Sequence, residues 1–191
     1  MSAPRRLSLA FLLFMLVAFS CKVTRLTPVT FPPEYSPQEG SARFSVAPSC
    51  ATYRNLTISD ARTEMSVVGI RTLQEGPGEE PVVLDGDGLG WLRAVWSGPS
   101  AAEIVQSTLS RWELQVALAS IRLEEVAFRN SEYEGRVILE VDVTEFSSGQ
   151  PIWSQRYDGS SQNYGRPGSA ENFRETMNHA LDRAMIEMVT T

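Results

Sequence analysis

RVILEVDVTEFSSGQPIWSQRY, residues 136–157, is the stretch that decides the fold. Val137, Leu139, Val141 and Val143 alternate with polar residues, and Arg136, Glu140, Asp142 and Thr144 face the other way. Ile138 is the exception. Period-two alternation of this kind predicts a strand buried on one face only. Ser147-Ser148-Gly149-Gln150 supplies turn chemistry, so Pro151 to Tyr157 is expected to return as an antiparallel partner. Ser160 to Gly168 reads as a polar loop. From about Ala170 the period changes to that of a helix: Phe173, Met177, Ala180, Leu181, Ala184 and Met188 form one apolar stripe. A sheet with a helix laid on it is the expectation.

Upstream, Gly98-Pro99-Ser100 opens a helix, with Ser100 as the cap and Glu103 completing a capping box. The following residues support two readings. Val105, Leu109, Trp112, Val116, Ala119, Leu123 and Val126 are spaced as one long amphipathic helix. Alternatively the helix ends near Trp112 and a strand runs from Leu114 to Phe128. Leu114, Val116 and Leu118 then alternate, while Ile121 and Leu123 switch parity, which requires a bulge. Spacing alone favours the helix slightly. Shorter strands are expected at Phe44–Val46, Leu56–Ile58, Val67–Ile70 and Val82–Leu84. Residues 74–81 read as an exposed loop and Asp85-Gly86-Asp87-Gly88 as a turn.

The N-terminus reads as an export signal. Arg5-Arg6 precede an apolar run from Leu7 to Phe19, thirteen residues broken only by Ser8. Thirteen helical residues span about 20 Å, less than a hydrocarbon core of about 30 Å. A cleaved leader over residues 1–20 is therefore expected. Ala18-Phe19-Ser20 followed by Cys21 resembles a bacterial lipobox, which makes Cys21 the expected lipid-attachment site. The same tract also fits ordinary secretion. Acylation supplies anchorage, at about 0.8 kcal/mol for each buried methylene. The two routes give Cys50 different fates: a leftover thiol if Cys21 is acylated, a Cys21–Cys50 disulfide if it is not. Lys22 behind the cysteine resembles an outer-membrane address. Pro28, Pro32, Pro33 and Pro37 make residues 21–42 an expected tether, ahead of one α/β domain over residues 43–191.

Charge narrows the partners. The chain carries a formal charge of −6, and its first twenty residues hold Arg5 and Arg6 and no acids. The mature chain is therefore more acidic still, which disfavours nucleic acid and attraction to anionic membrane surfaces. Sixteen Arg stand against the single Lys22. Their scatter along the chain fits compositional bias better than an anion site.

Few residues suggest chemistry. His179 is the only histidine; a Cys50–His179 dyad is the sharp reading and a helix-flank histidine the bland one. Asp85 to Gly90 vaguely resembles a calcium loop, but the twelfth position from Asp85 is Trp96 where a closing Glu is needed. Glu79 and Glu80 read as a solvated charge run. Asp60 and Arg62, two apart, form either a partner-contact pair or a structural hydrogen-bonded turn. Trp91 and Trp96 fit core packing better than the alternative, a ligand shelf. Neither a cofactor, a metal nor a catalytic residue is expected.

With these segments placed, the chain resembles the YajG-like bacterial envelope lipoproteins. The resemblance rests on the lipobox-like leader, Asp60-Ala61-Arg62-Thr63 as a D-x-R turn, Leu114-Gln115-Val116, Val137 to Val143, Trp153-Ser154-Gln155-Arg156-Tyr157, and the closing helix with Ala180-Leu181. It covers roughly residues 43–189. It implies an α/β (α+β) domain, an antiparallel sheet with two main helices packed on one face. It also implies a strand after Trp112, which is adopted here over the local heptad. No activity is attached to that family. The expected function is thus a non-enzymatic, outer-membrane-anchored lipoprotein on the periplasmic face, with the membrane and an envelope protein as partners. A looser similarity points to auxiliary lipid- or ligand-binding lipoproteins of ABC-type transport. An ordinary secreted protein is the third reading.

Overall fold

The computed structural model describes residues 28–36, 53–73, 78–95, 107–127 and 130–190. The decisive stretch forms two long antiparallel strands joined by the expected turn: β6 (Ser131–Glu145) and β7 (Pro151–Gly165). Val137, Leu139 and Val141 are buried as the alternation requires, and Ile138 is buried as well. The ambiguous segment is a strand, β5 (Trp112–Ala127), antiparallel to β6. Its register shifts between Leu118 and Ser120. The parity switch in the sequence is this bulge, and it keeps both Leu118 and Ile121 in the core.

The other edge of β5 is shared. β2 (Leu56–Asp60) pairs with Leu114–Leu118, and β3 (Val67–Leu73) pairs with Leu123–Ala127, both in parallel. β4 (Glu79–Leu84) pairs antiparallel with β3, and β1 (Val29–Phe31) closes the sheet in parallel with β4. The order is β1-β4-β3-β5-β6-β7, with β2 off this path on β5. The α+β class read from the sequence therefore holds, and the seven-stranded sheet is mixed. Its three parallel pairings arise because β2 and β3 meet β5, and β1 meets β4, running in the same direction.

The closing helix, α2 (Ala170–Thr190), lies across β7 and β6. Ser169 caps it, its Oγ accepting from Asn172 N at 3.2 Å. Phe173, Met177, Ala180, Leu181 and Ala184 are fully buried. The helix comes so close that a Cβ on Gly159 would stand 1.9 Å from the Ala180 carbonyl oxygen. This proximity explains one departure from expectation. Residues 160–165, read as loop, continue β7, and their inward position Ser161 is small and donates to Thr176 O at 2.6 Å. β7 has no partner strand on its outer side among the described residues. Two of its backbone N–H groups are taken by side chains: Asp158 N donates to Glu187 Oε2 at 3.2 Å and Tyr164 N to Asn163 Oδ1 at 2.8 Å.

Two further expectations are corrected. The second helix is α1, Gly88–Ala94, which starts at the last residue of the segment read as a turn. Asp87 caps it by accepting from Leu89 N at 2.8 Å, and Trp91, Leu92 and Val95 follow at helical spacing into the core. The helix expected from Ser100 lies largely outside the described residues, and Ser107 to Ser110 form a turn. Residues 29–31, placed in the tether by their prolines, supply β1, and Phe31 is buried against Phe173, ring centroids 6.2 Å apart. Beyond β1, Tyr35 donates to Asp182 Oδ1 at 2.7 Å and Asn178 Nδ2 to Glu34 O at 3.0 Å, which binds this segment to α2. The strand expected at Phe44–Val46 lies outside the described residues.

Candidate functional site

The chain leaves β2 beside the β5 bulge, with Ala61 N donating to Leu118 O at 3.0 Å. Here Asp60 and Arg62 meet. Arg62 donates through Nε to Asp60 Oδ1 at 2.9 Å and through Nη2 to Oδ2 at 2.7 Å, and its backbone N adds a third bond to Oδ1 at 3.1 Å. The side chains of Arg62 and Asp60 are only 5% and 8% exposed. Burial pushes the Asp60 carboxyl up, but the bonds from Arg62 outweigh it and hold the group below its ordinary value. Gly88, at the start of α1, lies over the guanidinium; a Cβ there would be 2.4 Å from Arg62 Nη2. This geometry favours the structural reading of the pair: a bidentate clasp that seats α1 against β2.

A second buried cluster went unread in the sequence. Arg71 on β3 contacts Glu80 Oε2 at 2.8 Å and Glu125 Oε2 at 2.7 Å. The Glu125 side chain, on β5, is 0% exposed. Its other oxygen accepts from Gly168 N at 2.9 Å. Beside it, Tyr133 donates to Arg166 O and accepts from Ser169 N at 3.1 Å. Burial raises the Tyr133 phenol above its ordinary range, and the nearby Glu125 charge adds to the rise. The cluster fastens the loop before α2 to the sheet. Glu80, expected to be solvated, is buried because β4 turns it toward Arg71. Period two carried a signal for Glu125: it shares a face with Ile121 and Leu123.

An open groove of about 630 Å³ is lined by Arg122 and Glu124 of β5, Glu134 and Arg136 of β6, Gln162 of β7 and Arg183 of α2, among others. Its charges are partly matched, one pair along β5 and one across β6 and β7. Arg122 contacts Glu124 Oε1 at 2.5 Å, and Arg136 Nε binds both oxygens of Asp158 at 2.8 and 2.9 Å. The bonds from Arg136 hold the Asp158 carboxyl below its ordinary value.

The remaining candidates separate. Cys21, Cys50 and Trp96 lie outside the described residues. His179 sits half-buried on α2. Trp91 is buried, as its core reading requires, and its Nε1 donates to Asn178 Oδ1 at 2.8 Å. Asp87 is occupied as a helix cap. Among the described residues no three His, Cys, Asp or Glu are grouped to hold a metal, and no helix is long and apolar enough to cross a membrane. The buried carboxylates of Asp60, Glu80 and Glu125 engage arginine or backbone N–H groups, and that of Asp182 accepts from the Tyr35 hydroxyl.

Neither a family model nor a curated protein matches the sequence. Among solved structures, the chain is similar to a protein of family DUF330 from Xanthomonas campestris, at 12% identity over 84% of this chain and 90% of that one, TM-score 0.40. It is similar to a candidate lipoprotein from Caulobacter crescentus, at 18% identity over 56% of this chain and 83% of that one, TM-score 0.35. A third is a candidate neuraminyllactose-binding haemagglutinin homologue from Helicobacter pylori, at 9% identity over 73% and 86%, TM-score 0.34. Likeness of this degree identifies neither a family nor a function.

Proposed function

We propose that the protein is a non-enzymatic lipoprotein of the bacterial envelope, held at the outer membrane through an acylated Cys21 and serving as a structural or partner-binding domain of the YajG-like kind. The observation that carries this is the apolar run Leu7–Phe19, separated from Cys21 only by Ser20, with Cys21 seven residues before the first described residue, Pro28. In support, the ionisable groups buried in the domain hold the fold together. The alternative role, an auxiliary lipid- or ligand-binding subunit of a transport system, needs space between sheet and helix. There Gly159 meets the backbone of Ala180 and Ala184, and Gly135 meets Thr176, and this close approach at two positions speaks against that role.

Intact-mass analysis with acyl labelling tests the anchor. Native protein is expected to carry acyl chains on Cys21, and a Cys21→Ser variant is expected to lose both label and membrane fractionation. Native protein that starts at Cys21 without acyl chains would sink the reading and leave the secreted form with its Cys21–Cys50 disulfide.

A further inference from the structure

A tether sets how far a domain can turn from its anchor, and here the tether is short. From Cys21 to Pro28 the chain advances seven residues, at most about 25 Å when fully extended. Val29 is at the level of Val82, Gly69, Leu123, Gly135 and Ser161, which succeed one another as register partners across the sheet. From that level β6 runs ten residues up to Glu145 and four residues down to Ser131, about 34 Å and 14 Å respectively. The lower rim, made by the ends of β5 and β7 and the starts of β6 and α2, is within reach of the anchor. The upper rim, with the turn Ser147–Gln150, is not.

We infer that the anchored domain stands with this lower rim against the lipid head groups, and that the upper rim faces away from the bilayer. The inference rests on the acylated Cys21 proposed above. The rim's own residues suit the position. Val126 and Tyr164 are 44% and 58% exposed. They flank Glu132 in one row across three strands, and Tyr164 donates to Glu132 Oε1 at 3.2 Å. Arg166 and Pro167 are exposed beside them. An amphipathic tyrosine and an arginine are the side chains that sit at a membrane–water boundary. Glu132, Glu134 and Glu171 would repel anionic lipid, so the matching surface is zwitterionic. The opposite pole exposes Leu109, Phe146, Ile152 and Trp153, with the guanidiniums of Arg54 and Arg111 lying on the rings of Phe146 and Trp112 at 3.8 and 4.5 Å. The short tether keeps that pole out of the lipid.

The test uses the full acylated protein in phosphatidylcholine vesicles containing lipid with a nitroxide on its head group. A fluorophore is attached to Pro167→Cys or Asn130→Cys at the lower rim, or to Gln150→Cys at the upper turn, each on a Cys50→Ser background. The expected result is loss of fluorescence at 167 and 130 and retained fluorescence at 150. Equal quenching at both poles, or stronger quenching at 150, overturns the orientation while the protein still floats with the vesicles. Failure to float, with no acyl mass on Cys21, overturns the anchored reading and this inference with it.

Discussion

Gly159→Ala is the sharpest probe of how the helix meets the sheet. In most strand positions, replacing glycine by alanine stabilises by about 0.4–1 kcal/mol, because the unfolded chain loses freedom. Here the added Cβ would be 1.9 Å from Ala180 O and 2.4 Å from Ala184 N, both backbone atoms of α2. No side chain can move aside. To restore ordinary contact the helix must retreat by roughly 1.5 Å. Phe173, Met177 and Leu181, all at 0% exposure, would then lose contact with the sheet. Overpacking of this kind costs about 1–3 kcal/mol. The cost exceeds the entropic gain, so a net loss of about 1–2 kcal/mol is expected, a fall in Tm of roughly 2–8 °C for a domain of this size. Urea unfolding followed by circular dichroism, with unchanged m, gives the number. Gly149→Ala is the control. Its φ of +66° is strained for alanine, yet nothing lies within 4 Å of the new atom, so its cost is only the local one, about 1–2 kcal/mol. A Gly159→Ala protein as stable as the parent would refute the close approach of α2 to β7.

Other predictions follow from the same contacts. Phe31→Ala is expected to cost about 3–5 kcal/mol, since the ring is buried against Phe173; an unchanged melting temperature would return residues 29–31 to the tether. Arg71→Met is expected to cost about 3–5 kcal/mol, because it leaves Glu80 and Glu125 buried without their cation, and adding Glu125→Gln should recover part of the loss in chemical denaturation. Asp60, held low by Arg62, binds fewer protons folded than unfolded. Its stabilisation is thus full above the ordinary carboxylate value of about 4 and is lost as pH falls through the lower folded value. Urea midpoints between neutral and acid pH should fall less steeply for Asp60→Asn than for the parent, and identical slopes would contradict the assignment.

Long-period patterns carried the fold into the sequence well. Val137 to Val143, the turn at Ser147–Gln150 and the stripe from Phe173 to Met188 each describe one face of one element, and each stands where it was read. The strand at Leu114–Phe128 competed with a heptad, and only the parity switch at Ile121 marked the bulge that resolves it. What escaped was set by neighbours. The end of β7 looked like loop because small residues are what a closely packed helix requires. The start of α1 was hidden because Asp87 and Gly88 closed the segment read as a turn, and Asp and Gly open both turns and helices. β1 looked like tether because prolines flank it, while Phe31 alone told of a core across the chain. The Asp60–Arg62 clasp was visible from spacing. The Arg71–Glu80–Glu125 cluster joins three strands, and no window of sequence contains it.

On the anchored reading proposed above, the guarded edge of β7 matters for crowding. Proteins held at a bilayer are confined to a plane and share one orientation, so their equivalent edges meet at one height and at high local density. An open strand of fifteen residues under those conditions is a template for endless sheet growth from molecule to molecule. The Glu187 and Asn163 side chains occupy the N–H groups of Asp158 and Tyr164, and so interrupt that edge at two points. Removing those two side chains would open the N–H groups of Asp158 and Tyr164 to a neighbouring strand.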